Sequence, residues 1–164
     1  MRQTDNRKVL IFIILFLVCS TFLFADEAAN KTSKAAVSIG PEWNMNSREN
    51  FAAGGVLAFD LNLGSSFAVG INATISTNFD EIIVIEPAAN FRWYFLGSDH
   101  AGWFVQADAG AYLVMEDDDL TPLFLGGLRA GLRLPLGNTL FIEPFGRVGY
   151  PFAFGVGVLA GVRF

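Results

Sequence analysis

Past residue 25 the sequence contains no cysteine. The only one, Cys19, lies in an N-terminal apolar run, which excludes a disulfide framework and thiol chemistry from the rest of the chain. Histidine is nearly missing as well. His100 stands in a turn with Asp99 as its one acidic neighbour, too little for a metal centre or a catalytic dyad, and it reads as polar surface. Charged residues make up only 16%, and the eleven Lys and Arg are scattered, so there is no nucleic-acid footprint. No linker divides the 164 residues, which make a single domain. What is abundant is unusual: seventeen Phe and seventeen Gly in a chain that is 52% apolar. A soluble core could use the Phe but has no need of so many Gly.

The last thirteen residues, Phe152 to Phe164, show what those two residue types are for. Every second residue back from Phe164 is apolar: Val162, Ala160, Val158, Val156, Phe154, Phe152. The alternate positions carry Arg163, Gly161, Leu159, Gly157, Gly155 and Ala153, which are small apart from Leu159 and the one charge. A period of two with larger apolar groups on one face and small or charged groups on the other is the pattern of a membrane barrel strand. The stretch resembles the closing strand of bacterial outer-membrane β-barrels, which ends on an aromatic residue. That resemblance implies an assembly signal made of Phe164, Val162 and Val158. It also implies barrel-assembly machinery, periplasmic chaperones and outer-membrane lipid as partners.

At the other end, Arg2, Arg7 and Lys8 precede an apolar run from Val9 to Val18, extended to Phe24 and closed by Ala25. A basic segment, an apolar segment and a small residue at the boundary predict a signal peptide over residues 1–25. The rival is a retained helical anchor, for which this apolar stretch is at the short limit. Cleavage removes three bases and one acid and leaves eight bases against fifteen acids, a net charge of −7. Residues 26–34 then form a polar periplasmic lead.

Residues 35–164 predict eight strands: Ala35–Glu42, Phe51–Leu63, Phe67–Ser76, Ile82–Phe95, Trp103–Val114, Leu123–Leu134, Thr139–Gly149 and Phe152–Phe164. The fold class is all-β, an eight-stranded antiparallel up-and-down transmembrane barrel. Longer loops are expected at Trp43–Asn50 and at Met115–Pro122, where the run Glu116 to Asp119 reads as a solvated acidic loop and not a calcium site. Two aromatic girdles are expected. Phe67, Trp93, Phe95, Trp103 and Phe164 form the periplasmic one, and Trp43, Phe51, Phe79 and Tyr150 the outer one. Pro87 and Pro144, each after a glutamate inside a strand, suggest bulges. The whole resembles small outer-membrane barrels of the OmpA, OmpX and OmpW type.

The polar faces gather Asp60, Glu86, Asp108 and Glu143 with Arg92, Arg129, Arg133, Arg147 and Arg163. Nine groups of balanced sign in an interior barely wider than side chains are expected to pair as a plug. Phe141 and Phe145 fall on the same face as Glu143, either as packed filler or as a slip of phase. No catalytic residue, cofactor or metal is expected, and no oligomeric state can be read. Three functions fit: a structural or surface-interaction barrel, a narrow conduit for small or hydrophobic solutes of the kind the OmpW resemblance implies, and a soluble periplasmic lipid carrier. The carrier needs the apolar face inward, and the Gly- and Ala-rich polar faces would make it a poor solvent surface. Intact mass of the purified protein should place its first residue at or near Asp26. A chain that retains Met1 to Ala25 would point to the helical anchor.

Overall fold

The structure is a computed structural model that describes residues 33–46, 51–79, 82–96, 100–116 and 119–164. The predicted signal peptide and most of the predicted lead lie outside these residues. The strands are β1 (Ala35–Asn46), β2 (Ala52–Leu63), β3 (Phe67–Thr77), β4 (Ile83–Leu96), β5 (Gly102–Glu116), β6 (Asp119–Leu136), β7 (Leu140–Tyr150) and β8 (Phe152–Arg163). Each pairs antiparallel with its neighbours in sequence, and β8 pairs with β1 to close the barrel. The ring is sealed at its end. Phe164 O accepts from the Lys34 and Ala35 amides at 2.8 and 2.9 Å, and the Phe164 amide donates to Ala35 O.

The ladder fixes the shape. Followed through inward pairs from Asn44 by way of Gly155, Arg147, Arg129, Gln106, Arg92, Ala68 and Asn62, it returns to β1 at Lys34, a stagger of ten residues. A stagger of this kind tilts the strands against the barrel axis and sets a narrow interior.

The two faces are the reverse of a soluble protein's. Leu57, Phe59 and Leu61 of β2, and Phe67, Val69, Ile71 and Ile75 of β3, point outward, as do Phe91 and Trp93 of β4. Buried inside are Asp60, Asn72, Thr74, Glu86 and Arg92. The alternation predicted for these strands therefore holds, with the apolar face outward. That is the opposite of what a lipid carrier needs. Phe67, Trp93, Phe95, Trp103 and Phe164 are exposed at the terminal end, where β1 begins and β8 finishes, while Trp43, Phe51, Phe79 and Tyr150 are exposed at the far end.

Four expectations are corrected. The described parts of the predicted long loops are strand: β1 runs on to Asn46, and β5 and β6 stay paired as far as Glu116 and Asp119, while residues 47–50 and 117–118 lie outside the described residues. Alternation continues through these segments, and charge at an exposed strand end does not stop a ladder. The register also passes through Pro87 and Pro144 without a shift, so neither marks a bulge. Each proline instead removes one two-residue step of pairing on one side, as does Pro41 in β1. Beside each gap, at the first paired position, stands a glycine. A Cβ on Gly110 would lie 2.1 Å from Pro87 O, one on Gly131 2.6 Å from Pro144 O, and one on Gly157 2.7 Å from Pro41 O. At these first paired positions the strands approach closely because a glycine projects nothing toward the proline carbonyl.

The third correction concerns Phe152, expected on the outer face. Met45 pairs with Phe154 but Asn46 with Phe152, so Ala153 is an extra residue in β8, and the bulge turns Phe152 inward. The fourth is His100, which is 3% exposed. Its backbone has a φ of 56°, and its ring packs edge-on against Tyr94 at 5.5 Å, at the terminal mouth of the barrel.

Ile71, mid-strand in β3 and 63% exposed, tests the outer face. Ile71→Arg should cost about 2–4 kcal/mol near a bilayer midplane. Urea unfolding from lipid vesicles would measure this. An arginine tolerated there without loss would mean that this face meets water.

Candidate functional site

The interior is the candidate site, and its chemistry is set by four arginines that the strands aim inward. Arg92 and Arg133 lie toward the terminal end. Arg92 Nη1 is 2.9 Å from Glu143 Oε2 and 3.3 Å from Asp60 Oδ2. Arg133 donates from Nε to the same Glu143 oxygen at 2.7 Å and from Nη2 to Asp60 at 3.0 Å. Two cations and two carboxylates thus form a closed square, and all four side chains are buried. Arg92 Nε also donates to Gln106 Oε1 at 2.8 Å and Nη1 to the Tyr94 hydroxyl at 3.1 Å.

Toward the far end Arg147 serves two carboxylates. Its Nη1 donates to Glu86 Oε2 at 2.6 Å, its Nε to Glu42 Oε1 at 2.8 Å, and its Nη2 also reaches Glu42. Asn44 Nδ2 donates to the same Glu42 oxygen at 3.2 Å. Between the clusters Asp108 accepts from Asn72 and Gln106 at 2.8 and 2.7 Å, and so is held by amides and not by an arginine.

Arg129 differs from the rest. It is buried, yet its three guanidinium nitrogens have no hydrogen-bond partner among the described residues. Its compensation is aromatic: Cζ lies 4.3 Å from the Phe145 ring centre. The same contact recurs for the others, with Arg92 over Phe104 at 4.3 Å, Arg133 over Phe141 at 4.1 Å and Arg147 over Phe152 at 4.0 Å. Each ring in turn covers a glycine. A Cβ on Gly131, Gly157 or Gly161 would strike Phe104, Phe145 or Phe141 within 2.6 Å, and one on Gly149 would come within 2.8 Å of Phe152. Guanidinium, ring and bare backbone form a repeated three-layer stack. It draws on cation–π attraction, which is strongest when desolvated. Phe141 and Phe145 are therefore packed filler, and β7 has not slipped.

Of the predicted network, Asp60, Arg92, Arg133 and Glu143 come together, as do Glu86 and Arg147. Asp108 and Arg129 are inside but outside both ion-pair clusters. Arg163 is a correction: its guanidinium turns to the β6–β7 turn and donates to Asn138 O at 2.8 Å and Gly137 O at 3.1 Å. As the last residue of β8 it lies at the edge of the barrel wall. Glu42 was missed because β1 was expected to stop there. Its signal was the unbroken inward series Ser38, Gly40, Glu42, Asn44. The interior then holds five acids and four bases among the described residues. Of the expected assembly signal, Val158 and Phe164 are exposed, while Val162, paired with Val37 and Leu140, is buried.

Removing one partner of a buried ion pair strands the other. Glu143→Ala should destabilise the folded barrel by about 3–5 kcal/mol. Arg129→Met should stay within about 1 kcal/mol of the parent or stabilise it, because it removes an unpaired charge. Equilibrium unfolding in lipid vesicles would compare the two. Equal losses would show Arg129 to be paired as tightly as Glu143.

No family model matches the sequence, and no curated protein is similar enough to count as a relative. Solved structures do match. Neisserial surface protein A (NspA) superposes with a TM-score of 0.59 at 10% identity, over 82% of this chain and 98% of that one. The N-terminal β-barrel domain of Pseudomonas aeruginosa OprF gives 0.54 at 14%, over 79% and 97%. A de novo designed transmembrane β-barrel gives 0.50 at 12%, over 82% and 99%. Identities this low speak for the fold alone. The chain has the closed eight-stranded antiparallel fold of the small outer-membrane barrels.

Proposed function

We propose that this chain is an integral protein of the bacterial outer membrane, a structural or surface-interaction barrel whose lumen is plugged by its own side chains. The observation that carries the reading is the interior itself. Two ion-pair clusters cross it at different heights, and phenylalanine rings fill the space beside them. The exterior supports the membrane part, since an apolar face of this extent has to be covered by lipid. Outer-membrane lipid, the barrel-assembly machinery and periplasmic chaperones are the partners such a life requires. The signal peptide would supply the route across the inner membrane. The described connections are short, which favours an anchoring or wall-building role over display of large loops. No catalytic role is assigned to any residue.

A plugged lumen does not pass hydrated ions steadily. Protein refolded into a planar bilayer should show little or infrequent conductance. Arg133→Ala combined with Arg147→Ala, one cation from each cluster, should raise it or reduce the yield of heat-modifiable barrel. Stable, large single-channel steps from the unaltered protein would make the narrow conduit the leading function.

A further inference from the structure

The terminal mouth of the barrel is closed by a residue that the ion-pair plug does not use. His100 belongs to the connection between β4 and β5, where a side chain ordinarily lies in solvent, yet it is 3% exposed. Its φ of 56° is in the left-handed region, and its ring is folded back into the mouth. There the imidazole meets Tyr94 edge-on, at 5.5 Å between ring centres and 87° between planes. Tyr94 is itself buried at the terminal edge of the plug. Its hydroxyl accepts from Arg92 Nη1 at 3.1 Å, and the Arg133 guanidinium lies 5.4 Å from its ring centre. From the mouth inward the order is therefore His100, Tyr94, and then the two arginines of the terminal cluster.

Histidine is the side chain whose ordinary charge change falls near neutral pH. These surroundings favour its neutral form, because burial disfavours a charged imidazole. Behind Tyr94 stand two cations, Arg92 of β4 and Arg133 of β6. The carboxylates beside them, Asp60 of β2 and Glu143 of β7, are each already bonded to both. From β5 come the uncharged Phe104, 5.9 Å from Tyr94, and Gln106, whose oxygen serves Arg92. Lys34, just before β1, and Arg163, the last residue of β8, add two more cations at the same end. Asp99, next to His100 in sequence, lies outside the described residues.

We infer that His100 is a proton-sensitive stopper of the terminal mouth: neutral, its ring seals the stack against Tyr94; charged, it leaves the mouth and admits water to Tyr94 and the ion pairs behind it. The sign follows from the two states. The packed form holds the ring without a proton and the released form takes one up, so the seal is complete at neutral pH and is lost as pH falls. Below about pH 6.5 the ratio of released to packed molecules should rise about tenfold per pH unit, as one proton requires. The consequence, wetting of the terminal ion pairs, rests on the plugged-lumen reading, but the two fail separately. A barrel that conducts can still carry the stopper, and a silent one can lack it.

The test uses the chain's single histidine. The full protein, made without a histidine tag and with isotope-labelled histidine, is refolded in detergent micelles and followed by NMR from about pH 7.5 to about pH 5. The ring should pass from neutral to charged. Over the same interval its nuclear Overhauser contact with the Tyr94 ring should vanish, and a soluble gadolinium chelate should begin to broaden its signal. Broadening of the neighbouring Ala101 amide should grow as pH falls in the parent. His100→Asn, a residue that accepts a left-handed backbone, should make that broadening the same at both ends of the range. If this variant does not fold, the parent titration decides alone. A ring that charges while it keeps its Tyr94 contact would overturn the stopper and mean that an acid holds the charged form in place. A ring that stays neutral and shielded at about pH 5, or one that is broadened throughout, would make His100 a structural residue only.

Discussion

Everything in the barrel depends on keeping four guanidinium groups out of water. An arginine taken from solvent loses several kcal/mol of hydration unless its charge is met and its donors are filled. For Arg92, Arg133 and Arg147 the charge is met by carboxylates from other strands, and the flat faces of all four, Arg129 included, are met by phenylalanine. Those rings reach the guanidinium planes because glycine lies beneath them on the neighbouring strand. Such glycines would weaken a sheet by themselves, and covering them with an aromatic ring is a known way to recover the loss. Four of the Phe and four of the Gly are thus one fact about the interior.

The lumen is consequently a polar core inside an apolar shell. In water the shell would be a liability; in hydrocarbon it is what keeps the strands apart from other solvent-facing edges, since closure leaves no free edge. The clusters, not the shell, then give the interior its specificity. Arg92 and Arg133 share Glu143 and Asp60 so closely that neither acid could be moved to another strand position without undoing both pairs.

Much of this was legible in the residue order. Alternation over β2, β3 and β4 named the inward and outward faces, and the inward charges of β4, β6 and β7 were visible as lumen residues before any geometry. What alternation could not show was where a period-two pattern changes phase. Phe152 reads as outward until the extra residue Ala153 is seen, and a bulge leaves no mark in composition. Arg163 reads as inward because the pattern has no knowledge of where the wall ends. Glu42 was lost to an assumption about loop length, since polar residues such as Asn44 and Asn46 suit a loop and a lumen equally well. His100 was misjudged because burial in a turn depends on a left-handed backbone that no neighbouring residue announces. Partner choice within the network was likewise beyond reach: it depends on the stagger, which is a property of the closed ring.

The proline steps bear on how the wall carries load. The ladders β1–β2, β2–β3 and β3–β4 are unbroken, as are β5–β6 and β7–β8. The gaps at Pro41, Pro87 and Pro144 all fall on the other three seams, β8–β1, β4–β5 and β6–β7. The ring is therefore three stiff staves joined along three softer lines. Arg147 ties the β7–β8 stave to β1 and to β4, Arg92 ties β4 to β7, and Arg133 ties β6 to both β2 and β7. The charges act as struts across a hooped cask, set where the hooping is weakest. Lateral pressure from the surrounding medium would deform such a wall first at its seams, and it is the electrostatics of the interior that resists it.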